Sequence, residues 1–182
     1  MIVGGFGGQG TLLAGTILGR AASLEGKNVV LTTSYGAEAR GGMARSEVVI
    51  SDEEIDYPMV MQADALIAMS QAALKRYSDK VRPAGSVIID EGLIKEIPQG
   101  DVRVIRVPAS KIASEELKMP IATNIIMLGV LAATTDIASH NSFRRSVEAN
   151  VPKDTVSMNL HALNRGWRLG ESLALGRKAE NP

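Results

Sequence analysis

The sequence predicts an α/β fold, a doubly wound, mostly parallel sheet flanked by helices with a helical C-terminal part, and three observations carry that prediction. A short apolar lead at residues 1–3 runs into a glycine loop and then into a helical pattern. Short apolar runs of strand length alternate with turn and helix signals as far as Val107, the rhythm of βαβ units. From Ser110 onward the periodicity is helical alone.

The elements follow in order. Residues 11–24 set Leu12, Leu13, Ile17, Leu18 and Ala21 on one side of a helix that Gly26 stops. Val29, Val30 and Leu31 form an apolar run of the kind buried in parallel sheets, closing a first βαβ unit. A second loop at 34–42 leads to a strand at 46–51 and a polar turn with Asp52, Glu53 and Glu54, after which Pro58 begins a short helix. Residues 65–69 read as a strand and 71–79 as a helix. Pro83, Ala84 and Gly85 form a turn before a strand at 86–90, and residues 102–107 alternate Arg103 and Arg106 with apolar residues, a strand with one wetter face. The sheet then has about six strands. Helices are expected at 110–117, 123–137, 142–150 and 154–176, with residues 177–182 frayed.

Composition narrows the function. At 182 residues the chain falls in the single-domain range, so one α/β domain over 1–182 is expected. Twenty Lys plus Arg balance twenty Asp plus Glu, which leaves no global field to hold nucleic acid or an anionic membrane. No cysteine is present to give a disulfide, a zinc thiolate or an iron–sulfur ligand. The N-terminus has no charged leader, and no apolar run approaches the roughly 20 residues of a membrane span, so a cytoplasmic location is expected. Aromatic residues make up 3%, so the core relies on close helix-to-sheet packing.

Two loops stand out. The first, GGFGGQG at 4–10, sets Gly5, Gly7 and Gly10 in G-x-G-x-x-G spacing between a strand and a helix, as in Rossmann-like folds. With Gly8 beside them, these glycines permit positive φ and close backbone approach, and free N–H groups at a helix start favour an anion. The dinucleotide fingerprint also wants an acidic residue at the end of the second strand, where this chain has Thr32, Thr33 and Ser34. Gln9 can donate and accept at once, or cap the helix. The second loop, SYGAEARGG at 34–42, carries Ser34, Tyr35, Gly36, Glu38, Arg40, Gly41 and Gly42, more chemistry than a connection needs. Arg40 is able to clamp a carboxylate or phosphate with Glu38 orienting it, or the two form a local surface pair.

Other signals are weaker. His140 and His161 stand apart with no carboxylate set at metal spacing, and no G-x-S-x-G, H-E-x-x-H or G-x-x-x-x-G-K-[ST] run occurs. Asn124 reaches a ligand or, more simply, caps a helix start. The run from Ile125 to Leu131 is apolar on more than one face, which points to a core or a subunit interface, with core favoured. Arg144, Arg145, Arg165, Arg168, Arg177 and Lys178 give the C-terminal helices a basic bias best explained as a solvated face.

Together the two loops, at this separation, resemble the gamma subunit of 2-oxoacid:ferredoxin oxidoreductases of the 2-oxoglutarate or pyruvate type. The resemblance continues through Pro58, ADALIAMSQ at 63–71, SVIID at 86–90 and TNIIMLGVLAA at 123–133, and so covers nearly the whole chain. Met69, Ser70 and Gln71 resemble the 2-oxoglutarate type more than the indolepyruvate type. One departure is the start: three residues precede Gly4, where the family pattern has a longer first strand, which implies a trimmed start.

The resemblance implies oxidative decarboxylation of a 2-oxoacid with coenzyme A to acyl-CoA and carbon dioxide, with reduction of ferredoxin. It implies thiamine diphosphate, magnesium and iron–sulfur clusters held by partners: alpha and beta subunits, a ferredoxin-like subunit, and ferredoxin itself. No catalytic residue is expected on this chain, and the two glycine loops are expected to face the coenzyme A or substrate channel. In isolation a homodimer is expected, reusing the exposed apolar interface.

Overall fold

The computed structural model describes residues 1–36, 42–97 and 99–180, the last six by backbone alone. The chain runs β1 (Ile2–Phe6), α1 (Thr11–Leu24), β2 (Asn28–Tyr35), β3 (Met43–Ser51), β4 (Ala63–Ala68), α2 (Gln71–Tyr77), β5 (Val81–Asp90) and β6 (Arg103–Val107). It continues through α3 (Ala109–Lys111), α4 (Thr123–Ala133), α5 (His140–Asn150) and α6 (Val156–Glu180). The strands form one sheet in the order β2-β3-β1-β4-β5-β6. Strands β1, β4, β5 and β6 are parallel, while β3 lies antiparallel to both β1 and β2.

The pleat splits the core in two. Val3, Val48, Ile67, Ile88 and Ile105 pack against α1, α4, α5 and α6, whereas Ile2, Leu66, Val87 and Ile89 pack against Ala73, Leu74 and Tyr77 of α2. Helix α4 lies between the sheet and α6, so every residue from Asn124 to Ala132 is buried, and its all-round apolar pattern is a core pattern. Helix α6 approaches α4 at Gly166, where a Cβ would overlap the carbonyl oxygen of Ile126. Small residues also let α1 settle on the antiparallel strands: the side chain of Ser46 fills the space beside Gly15, and Val29 lies against Gly19.

Several expectations need correction. The run at 29–31 is an edge strand paired antiparallel with β3, not a parallel-sheet strand beside β1. The short connection after Tyr35 folds β3 back as a hairpin partner, and β3 thereby takes the place next to β1. Consequently Ser34 and Tyr35 end a strand. No helix begins at Pro58: its carbonyl accepts from Thr32 Oγ1 at 3.4 Å, and the N–H of Val60 reaches Glu47 Oε2 at 3.4 Å. Residues 83–85 do not break the chain into a turn, because β5 runs through them with Ala84 at φ 59 and a register shift opposite 63–65. The helix expected at 110–117 is α3 followed by a π turn at Ile112–Glu116. Helix α4 stops at Ala133, where Thr134 and Thr135 back-bond to Val130 and Leu131 carbonyls. Residues 177–180, expected to fray, continue α6. The first strand carries Gly4 and Gly5 within it, with the ring of Tyr77 covering Gly4. Among the described residues no helix is long and apolar enough to cross a membrane.

Candidate functional site

Strand β1 ends at Phe6, and α1 begins at Thr11 after four intervening residues. That short connection forces a tight turn in which Gly8 (φ 94) and Gly10 (φ 73) adopt left-handed conformations that side chains disfavour. The N–H of Gln9 donates to the carbonyl of Phe6 at 3.1 Å, closing the turn. Gln9 then folds its side chain beneath the turn. Its Oε1 accepts from Phe6 N at 2.6 Å and its Nε2 donates to the carbonyl of Met69, at the end of β4, at 2.9 Å. Gln9 therefore locks the loop to the neighbouring strand and does not cap the helix; Gly10 occupies the N-cap position with no side-chain cap.

The glycines divide by role. Gly5 is buried, and the space a Cβ would need is taken by Gln9 Oε1, Thr11 Oγ1 and Met69 Cβ. At Gly10 a Cβ would overlap the side-chain amide of Asn124, whose Nδ2 donates to the Gly10 carbonyl at 3.0 Å. Gly7 and Gly8 face outward, and nothing stands above Gly8. Thr11 Oγ1, buried at the loop's base, has no hydrogen-bond partner.

The second loop meets the first. The N–H of Gly7 donates to the carbonyl of Gly42 at 2.8 Å, and Gly36 N–H closes the hairpin on Met43 O at 2.7 Å. Tyr35, at the end of β2, is 66% exposed. Glu38, Arg40 and Gly41 lie outside the described residues. The two glycine loops are thus joined at the carboxyl ends of the parallel strands, where the chain leaves β1 on one side and β4 on the other. Open α/β sheets bind ligands at such a switch point.

A cleft of 240 Å³ opens there, lined by Gly8, Gln9, Met69, Leu93, Ser110 and Ile121 together with Pro120 and Thr123. Its floor is braced by Asp90, a fully buried carboxylate that accepts from Gly92 N at 2.8 Å, Ser110 N at 2.6 Å and Ser110 Oγ at 2.9 Å. Of the cleft's lining residues, Leu93 and Ile121 are exposed large hydrophobic side chains. Sequence reasoning missed Met69, Asp90 and Ser110 as parts of this site; their common signal is position, each at or just past the carboxyl end of a predicted parallel strand. It also missed Glu47, fully buried beside Arg45 Nε (3.4 Å) and Lys80 Nζ (3.8 Å), although strand alternation places Arg45 and Glu47 on one face. Asn124, read as a helix cap, lies instead inside the first turn of α4, whose N-cap residue is Ala122 with no side-chain cap; its Oδ1 accepts from Ile125 N–H and its Nδ2 anchors the glycine loop.

Several features argue against a dinucleotide site. The loop N–H groups of Phe6, Gly7 and Gln9 already have partners within the chain. Moreover β3 separates β2 from β1, so the end of β2 does not lie beside the first loop as a ribose-binding strand would. Nor do the residues fit the metal groups: no cysteine exists to ligate a cluster, and among the described residues no group of three His, Asp or Glu is placed to hold a cation.

The architecture and the paired loops have close counterparts. A family model described as pyruvate ferredoxin/flavodoxin oxidoreductase matches residues 1–169. The chain is 48% identical over 172 residues to the 2-oxoglutarate synthase subunit KorC of Methanocaldococcus jannaschii, covering 93% of this chain and 92% of that one. It superposes with a TM-score of 0.84 and 34% identity on the gamma subunit of a keto/oxoacid ferredoxin oxidoreductase from Geobacter sulfurreducens, covering 94% of this chain and 97% of that one. The same score, at 25% identity, relates it to 2-oxoglutarate:ferredoxin oxidoreductase from Magnetococcus marinus, solved with 2-oxoglutarate, coenzyme A and succinyl-CoA bound, where the match covers 94% of this chain and 30% of the longer one. A sheet of this order, loops joined at its switch point and similarity along nearly the full length lead to one conclusion: the chain belongs to the pyruvate ferredoxin/flavodoxin oxidoreductase family.

Proposed function

We propose that this chain is the gamma-type subunit of a 2-oxoacid:ferredoxin oxidoreductase acting on 2-oxoglutarate, and that its joined glycine loops complete a coenzyme A site shared with partner subunits. In that reaction the bond between the carboxylate carbon and the keto carbon breaks and carbon dioxide leaves. Two electrons pass to ferredoxin, and the acyl carbon forms a thioester with coenzyme A, whose thiol proton is released. The carbanion and electron-transfer chemistry belongs to thiamine diphosphate with magnesium and to iron–sulfur clusters, groups that the residues of this chain do not fit and that alpha, beta and ferredoxin-like partners supply.

The observation that carries the reading is the hydrogen bond from Gly7 to Gly42, which fuses two loops far apart in sequence into one surface. The close packing at Gly5 and Gly10 and the two hydrogen bonds of Gln9 suit these loops to shaping and closing a site, with Glu38 and Arg40 as their charged side chains. Gly7 and Gly8 offer an exposed backbone surface for close approach, Gly36 closes the hairpin beside Gly42, and the buried Gly5 with the half-buried Gln9 and Gly10 fix its position. Glu38, Arg40 and Gly41 stand in the segment between Gly36 and Gly42, where Arg40 suits an anionic group of coenzyme A. The substrate assignment rests on the similarity to 2-oxoglutarate synthase subunits.

The test is co-expression with candidate alpha, beta and ferredoxin-like subunits, followed by anaerobic ferredoxin reduction with 2-oxoglutarate or pyruvate and with or without coenzyme A. Coenzyme A-dependent turnover on 2-oxoglutarate, with a raised KM for coenzyme A in Arg40→Ala, is the expected result. A chain that joins no complex and binds NAD, FAD or coenzyme A alone would overturn it in favour of a free-standing nucleotide-binding module.

A further inference from the structure

The two edges of the sheet are built differently. Strand β6, at one edge, is five residues long and carries Arg103 and Arg106, the usual guard against a second strand pairing with it. Strand β2, at the other edge, is eight residues long, NVVLTTSY, without a charged residue, a proline or a register break. Among the described residues nothing pairs with its outer side.

The direction of its free hydrogen-bonding groups follows from the ladder. Tyr35 lies opposite Ala44, so Gly36 lies opposite Met43, and the bond from Gly36 N to Met43 O marks that pair as hydrogen-bonded. Bonded and non-bonded pairs alternate along an antiparallel ladder. Ser34, Thr32, Val30 and Asn28 therefore bond inward to β3, and Tyr35, Thr33, Leu31 and Val29 turn their N–H and C=O groups outward. The side chains of Val29 and Leu31 lie against Gly19 and Gly15 of α1, and alternation places Thr33 and Tyr35 on that same face. Leu31 is 36% and Tyr35 66% exposed, an apolar strip beside the free edge.

We infer that β2 pairs antiparallel with β2 of a second copy of this chain, joining two sheets across a two-fold axis at Thr32. That register sets Val29 opposite Tyr35 of the second copy and Leu31 opposite Thr33 of the second copy. Each position on the outward set then meets another on the outward set, so every pair exchanges two hydrogen bonds. The side-chain pairs are β-branched with aromatic and β-branched with aliphatic, both favourable across strands. No charge lies on the strand to repel its copy. The pairing is independent of the function proposed above, and the two surfaces share Ser34 and Tyr35, where the strand ends and the second loop begins.

The experiment is sedimentation velocity on the full chain from about 1 to about 100 μM, with amide hydrogen exchange read at single residues. A reversible dimer is expected, with Val29, Leu31, Thr33 and Tyr35 amides protected as concentration rises. Leu31→Lys and Thr33→Glu should each weaken the dimer about tenfold, and mixing the two variants should restore it, because the register sets Lys opposite Glu. A monomer at every concentration with those amides exchanging freely would overturn the inference. So would a dimer indifferent to both variants, or protection that arises only when a partner subunit is added. The exchange measurement on the unaltered chain decides the matter even if a variant folds poorly.

Discussion

Asn124, in the first turn of α4, donates its side-chain amide to the carbonyl of Gly10 at 3.0 Å, across 114 positions of sequence. The bond ties the start of the buried helix to the last residue of the first glycine loop, so the loop's position depends on the core. Gly10→Ala adds a methyl where that amide sits and holds it at a positive φ. A loss of about 3 kcal/mol in urea unfolding is expected. Asn124→Ala should cost about 1 kcal/mol, since the Gly10 carbonyl keeps the Ala14 N–H at 3.0 Å. The double variant should cost less than the sum, because removing the amide frees the space the methyl needs.

Gln9 serves Phe6 and Met69 at once, and no shorter side chain spans both. Gln9→Ala should destabilise the chain by about 2 kcal/mol and speed exchange at the Phe6 amide ahead of the rest of β1. Gln9→Glu retains the acceptor for Phe6 but sets a carboxylate against the Met69 carbonyl, so it should not restore protection.

The contact between α4 and α6 has no slack at Gly166, where backbone meets backbone. Gly166→Ala should lower stability by about 3 kcal/mol, because neither helix backbone yields as a side chain would. Thermal unfolding of the purified chain checks this, and a variant as stable as the parent would contradict the packing described.

Glu25, at the end of α1, accepts from Ser139 N at 2.9 Å. Hydrogen bonds from Ser142 first, then Ser139, lower its carboxyl from the usual range to about 2. A depressed carboxyl contributes stability above its unfolded pKa and loses it as the pH falls through the folded value. Glu25→Gln should therefore narrow the difference in stability between neutral pH and about pH 2, with its largest effect at neutral pH. Carboxyl chemical shifts across an acid titration would show the same group directly; an inflection near 4.5 would refute the assignment.

Much of the fold was legible because its signals are local. Glycine spacing marks the β1–α1 turn, period 3.6 marks α1 and α5, and the all-round apolar run of α4 marks a helix buried on every side. Strand pairing was less so. The run at 29–31 looks like any buried strand, and only the hairpin to β3 reveals it as an edge. The segment around Pro58 reads as a helix start until its N–H and carbonyl groups are claimed by Glu47 and Thr32.

The sequence by itself determined the α/β class, the two glycine loops and the absence of thiolate ligands, since these depend on residue type and spacing along the chain. Only the tertiary structure decided that Gln9 is a clamp, that Gly7 and Gly42 meet, that Asp90 and Ser110 brace the cleft, and that β2 ends as an unguarded edge. Each of those is a contact between segments remote in sequence. Which backbone donor meets which acceptor is set by strand order and register, and residue patterns along the chain do not encode these uniquely.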